Sequence, residues 1–79
     1  MSQASVDRAL DLRGVLCPLN WVHTKLRLEE MAPGEVLEVI LDDGEPIRNV
    51  PKSLKQEGHR ILQVRPEGDS YRLLVQVGE

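Results

Sequence analysis

The chain has 79 residues, a net charge of −3, an apolar fraction of 41% and a single cysteine. A chain this short buries roughly 60–65% of its unfolded surface, so one modest core is expected and a deep enclosed pocket is not; a reactive group or binding face at the surface fits better. The acidic balance and scarce aromatics argue against nucleic-acid binding, no run approaches transmembrane length, and one cysteine excludes an internal disulfide or an all-cysteine metal cluster.

Residues 1–8 read as a polar lead-in and residues 9–79 as one domain. The opening segment has no apolar signal-peptide core, so a cytoplasmic location is expected. Ala9-Leu10-Asp11-Leu12 reads as a short strand with Leu10 and Leu12 on one face. Arg13-Gly14 is a bend, and Val15-Leu16 leads to Cys17.

Pro18 to Met31 has helical periodicity, with Trp21, Thr24, Leu28 and Met31 forming a stripe suited to packing on a sheet. Leu19, Val22 and Leu26 make a second stripe beside it. One helix on a small sheet does not easily bury both. The second stripe is either an exposed docking surface next to Cys17 or the flank of a broad-faced helix under a loop. Ala32-Pro33-Gly34 stops the helix.

Glu35 to Leu41 is the strongest strand signal, with Leu37, Val39 and Leu41 alternating. Asp42-Asp43-Gly44-Glu45 is a turn whose acids could cap a second helix; Ile47, Val50 and Leu54 give that helix its stripe. Its start falls at Pro46 or at Pro51, and Gly58 terminates it. Arg60 to Arg65 is a third strand, with Leu62 and Val64 on one face and Ile61 on the other. Pro66 to Ser70 is a hairpin turn of several residues, and Tyr71 to Val77 is the last strand, with Tyr71, Leu73, Val75 and Val77 on one face. The order strand, helix, strand, helix, strand, strand predicts an α+β fold. It is a two-layer α/β sandwich with both helices on one face of a four-stranded mixed sheet. The first crossover makes a right-handed parallel pair and the last two strands an antiparallel hairpin.

The chemistry centres on Cys17. It stands where a strand gives way to a helix, followed by Pro18, which suits a first helical turn because its missing N–H would be unpaired there. Amides and positive partial charge at a helix start favour a thiolate, and a thiolate is the nucleophilic form. Two accounts of Cys17 are open: an exposed nucleophile, or a buried inert thiol, since free cysteines are among the most buried residues. Arg13, Lys25 and Arg27 are either a basic rim near the thiol or ordinary solvated positions. His23 and His59 have no spacing that suits a usual metal site, and Asp42, Asp43 and Glu45 suit capping and turns better than acid–base work. No metal and no cofactor are expected.

The run Leu10-Asp11-Leu12-Arg13-Gly14-Val15-Leu16-Cys17-Pro18, followed by Thr24-Lys25, Leu28, Met31-Ala32-Pro33-Gly34-Glu35, Leu37, Val39, Asp42 and Gly58-His59, resembles the TusA/SirA-like family of small sulfur-carrier proteins. The resemblance covers nearly the whole chain from Leu10. It implies a two-layer α/β fold similar to the C-terminal domain of translation initiation factor three. It also implies that Cys17 accepts persulfide sulfur from a cysteine desulfurase or another persulfide donor and hands it to a downstream sulfur-acceptor protein. Thiolation of transfer RNA is one end use, and other sulfur metabolism is another. Pro18, Asn20 and Arg13 would support Cys17, and Leu19, Val22 and Leu26 would dock the partner. Neither direct nucleic-acid binding nor membrane attachment is implied. A non-catalytic interaction or regulatory module on the same fold is the alternative. Two departures stand out: the family's usual Cys-Pro-x-Pro has Asn20 in place of the second proline, and its usual Asp-Pro after the second strand is lengthened here to Asp42-Asp43-Gly44-Glu45-Pro46.

Overall fold

The computed structural model describes residues 6–16 and 18–78. Its elements are β1 (Arg8–Asp11), α1 (Leu19–Glu29), β2 (Val36–Asp42), α2 (Glu45–Gln56), β3 (Arg60–Glu67) and β4 (Ser70–Gln76). The strands form one sheet in the order β1-β2-β4-β3. β1 runs parallel to β2, with Leu10 opposite Val39. β4 is antiparallel to both β2 and β3. The mixed four-stranded sheet with two helices is therefore the architecture that the element order predicts.

Period-two alternation places the helices. Leu37, Val39 and Leu41 on β2 and Leu73 and Val75 on β4 are fully buried, while their neighbours Glu38, Ile40, Arg72 and Leu74 are only half-buried. The buried set forms one cluster with Leu28 and Met31 from the first helical segment and with Val50 and Leu54 of α2, so both helices cover the same face. On the opposite face Arg72 bonds Glu67 and reaches Glu38 at 2.9 Å. These bonds hold the guanidinium above its ordinary pKa, and the Glu67 carboxyl below its own.

The boundaries differ from expectation for identifiable reasons. β1 starts at Arg8, and Asp7 already exchanges bonds with Val36, its N–H donating to the Val36 carbonyl and its carboxylate accepting from the Val36 N–H. Pairing thus reaches into the expected lead-in, whose residues 1–5 lie outside the described residues. α2 starts at Glu45, not at Pro51: Pro46 sits in its first turn and Pro51 lies inside the helix. No side chain caps it, because Asp42 bonds elsewhere and Asp43 accepts from the Gly44 N–H. A register shift between Ile61 and Gln63 puts Ile61 and Val64 opposite Val75 and Leu73, on the helix side, and not on opposite faces as the alternation implied. The β3–β4 turn is two residues long, with Glu67 paired to Ser70. Gly68 has a φ of 60° and Asp69 keeps a negative φ, the signature of a type II′ turn. Among the described residues no helix is long and apolar enough to cross a membrane.

Leu54 is fully buried beneath α2 at the centre of the core. Leu54→Ala is expected to lower the unfolding free energy by about 2–5 kcal/mol, read from urea or guanidinium denaturation.

Candidate functional site

The candidate site is the turn between β1 and α1. Cys17 itself lies outside the described residues, so the site is defined by what surrounds its place in the chain. Leu12 is buried, and its N–H continues the β1–β2 pairing by donating to the Ile40 carbonyl at 2.9 Å. The Val15 N–H then closes a tight turn onto the Leu12 carbonyl at 3.1 Å. That turn needs Gly14, whose φ of 81° is strained for any side-chain-bearing residue. The Gly14 N–H donates to Asp42 Oδ2 at 2.7 Å, a charge-assisted bond that joins the turn to the end of β2.

Arg13 folds back on Asp11. Its Nε and Nη2 donate to Oδ1 and Oδ2 at 3.0 and 2.7 Å, and its backbone N–H also donates to Oδ1. The side-chain hydrogen bonds from Arg13 lead the causes that bring the Asp11 carboxyl down from 3.8 to about 2, and Arg13 is raised in turn. Both groups are open to solvent, so the pair contributes shape more than stability. Arg13 is therefore engaged by Asp11. Arg27 lies 4.0 Å from Glu30, which also approaches Arg8 of β1. Arg13 thus pairs with Asp11 and Arg27 lies near Glu30, while Lys25 is exposed.

On the far side of the turn, Pro18 occupies the N-cap position of α1, one place earlier than a first-turn proline. The Asn20 and Val22 N–H groups donate to the carbonyls of Leu16 and Pro18, and the Trp21 N–H donates to Asn20 Oδ1 at 2.7 Å. Most first-turn amides are thus taken, and only the Leu19 N–H has no acceptor among the described residues. Asn20 is fully buried and heads the inward stripe that continues through Thr24, Leu28 and Met31. The Thr24 hydroxyl donates to the Asn20 carbonyl at 2.8 Å. Trp21, expected in that stripe, is half-exposed at its flank. Asn20 Nδ2 has no partner among the described residues.

The second stripe is open. Leu19, Val22 and Leu26 are 55%, 42% and 54% exposed. Val22 and Leu26 lie about 160° around the helix from buried Thr24. Leu16, next to Cys17 in the chain, is 77% exposed, a feature that helical periodicity did not flag because Leu16 precedes the helix. The tether from Gly14 to Asp42 also escaped the sequence, although a Gly after one strand and an Asp ending its parallel neighbour was the available signal. His23 is exposed, and His59 accepts the Gly78 N–H through Nδ1 at 3.0 Å, away from this turn. Among the described residues no group of three or more His, Cys, Asp or Glu is placed to hold a metal ion.

The model of the family described as "Sulfurtransferase TusA" matches residues 8–77, and so takes in the turn, both helices and the whole sheet. The chain belongs to the TusA sulfurtransferase family. Provisionally named sulfur carrier proteins are similar to it: one from Archaeoglobus fulgidus is 46% identical over 67 residues, covering 85% of this chain and 76% of that protein. One from Thermotoga maritima is 39% identical over 70 residues, covering 89% of each. YedF of Escherichia coli is 33% identical over 70 residues, covering 89% of this chain and 91% of its own. A crystal structure of a SirA-like protein from Desulfitobacterium hafniense shares the fold, with a TM-score of 0.78 at 22% identity, covering 91% of this chain and 99% of that one. A sulfur-carrier role is thus supported at the level of the family.

Because the folded pKa of Asp11 lies below its unfolded value, the pair's contribution is complete above about pH 4. It is lost as pH falls toward 2. In Arg13→Gln, which removes the guanidinium but keeps the backbone N–H bond, the Asp11 carboxyl is expected to rise from about 2 toward its ordinary value, as followed by carboxyl-carbon NMR.

Proposed function

We propose that Cys17 is the sulfur-carrying residue of this family member. The observation that carries the reading is that the chain's one cysteine stands in the Cys17-Pro18 pair, within the residues 8–77 that the TusA sulfurtransferase family model matches. The Cys17 thiolate attacks the outer sulfur of a donor persulfide. The donor's S–S bond breaks, its electron pair leaves on the donor cysteine as a thiolate, and the outer sulfur with its proton becomes the terminal S–H of a Cys17 persulfide. An acceptor thiolate then repeats the step on Cys17. Sulfur moves with no outside oxidant or reductant, so one cysteine suffices and the protein is a sulfurtransferase in the sense of a relay.

The donor is a cysteine desulfurase or another persulfide-bearing protein, and the acceptor is a downstream sulfur protein, with thiolation of transfer RNA one end use. Pro18 sets the backbone after the thiol, Asn20 anchors the first helical turn inward, and Arg13 acts through Asp11 to hold the turn before it. Leu19, Val22 and Leu26, extended by Leu16, give both partners an apolar surface beside the sulfur. That same exposed ridge favours a second reading, an interaction module that carries no sulfur.

The two readings part on intact mass after incubation with a cysteine desulfurase and free cysteine. The wild type is expected to gain one sulfur, reversibly under reductant, and Cys17→Ala none. No mass gain on the wild type, with Cys17 freely alkylated, would favour the interaction module.

A further inference from the structure

The outer surface of the helical layer divides by chemistry. The back of α1 is the apolar ridge of Leu19, Val22 and Leu26. On α2, Arg48 and Lys52 lie two residues either side of buried Val50, which turns them away from the core. Lys55 follows at i+7 from Arg48, so the three cations form one exposed ridge about 10 Å long. None of the three has an ion-pair partner within 4.0 Å among the described residues, even though Glu45 begins the same helix. The helices contact each other and cover the same face of the sheet, so the two ridges lie side by side. Arg27 and Glu30 mark the β1 side of α1. Lys25 is therefore on the side toward α2, exposed between the ridges.

The charge distribution is uneven. α1 and α2 hold five cations (Lys25, Arg27, Arg48, Lys52 and Lys55) against two carboxylates (Glu29 and Glu45), in a chain whose net charge is −3. A single-stranded nucleic acid finds few aromatic rings on which its bases could stack. A protein surface with local carboxylates beside apolar side chains matches both ridges at once.

We propose that the Arg48–Lys52–Lys55 ridge, together with the apolar ridge of α1, docks an acidic, apolar-studded surface of the protein that donates sulfur to Cys17. This rests on the carrier reading above and assigns the chemistry of the donor's surface. A small-molecule persulfide needs no such surface, and this separates the two ideas experimentally.

Sulfur loading of the full chain is compared between a cysteine desulfurase supplied with cysteine and glutathione persulfide. At low salt, R48E/K52E/K55E is expected to load from the desulfurase about tenfold more slowly than wild type. Added salt is expected to slow the wild type and not the variant. Loading from glutathione persulfide should be unchanged, which also reports an intact fold and thiol; if the reversal unfolds α2, the corresponding triple Gln variant takes its place. Undiminished desulfurase loading in the variant overturns the proposal. So does a wild type that loads from glutathione persulfide alone, or binding to phosphatidylserine vesicles that the variant loses, which would assign the ridge to a lipid surface. Failure of the wild type with both donors overturns the carrier reading, and the proposal with it.

Discussion

The parallel pairing of β1 with β2 dictates where the candidate site forms and how the chain crosses the sheet. Two adjacent strands that point the same way cannot be joined by a hairpin; the chain must return across the sheet, and α1 is that return. The turn that contains Cys17 in sequence therefore forms at the sheet's edge where β1 ends. There the strand pairing is prolonged by single bonds, from the Leu12 N–H to the Ile40 carbonyl and from the Gly14 N–H to the Asp42 carboxylate. The second of these reaches a side chain where no further backbone acceptor is aligned. The loop is thereby registered against β2 residue by residue instead of hanging from a strand end.

Stability and geometry come from different residues. The fully buried aliphatic side chains of β2, β4 and α2 supply the hydrophobic term, at roughly 1.5–3 kcal/mol for each large side chain. The exposed Asp11–Arg13 pair adds little free energy by comparison. Its value lies in direction: a bidentate clasp two residues long leaves the bend few alternative shapes. α1 shows the same separation. Its inward face is anchored by Thr24 and Leu28, while apolar side chains are kept on the outward face, where burial in the monomer gives them nothing.

Much of this was legible from residue pattern. The alternation of Leu37, Val39 and Leu41 located the central strand and its buried face, and the spacing of Val50 and Leu54 located the inward side of α2. The excess of apolar positions on α1 raised the question of a second stripe that was either exposed or under a loop, and the structure leaves it exposed. What pattern missed was decided by tertiary bonds or single-residue irregularities. Asn20 fell in neither apolar stripe of the sequence, yet it is fully buried, with its carboxamide oxygen accepting from the Trp21 N–H. Pro51 reads as a helix start, yet α2 continues through it, with Val50 and Leu54 packed in the core on either side. The bulge near Leu62 brings Ile61 and Val64, expected on opposite faces of β3, onto one face, and periodicity cannot register one extra residue. Within the candidate site, the Leu-Asp-x-x-Gly-x-x-Cys-Pro run was visible at once; the Asp42 carboxylate that holds it was not, because 28 residues separate the partners.

β3 is an eight-residue strand at the rim of the sheet, with Leu62 and Val64 exposed. A flat rim of that length is a template on which another chain can add strands. The bulge at Leu62 twists the rim, Pro66 removes one N–H from it, and the exposed Arg60 and Arg65 place like charges along it. The β3 rim thus carries three features that discourage strand addition, while the apolar side chains of Leu19, Val22 and Leu26 stay exposed on the outer face of α1.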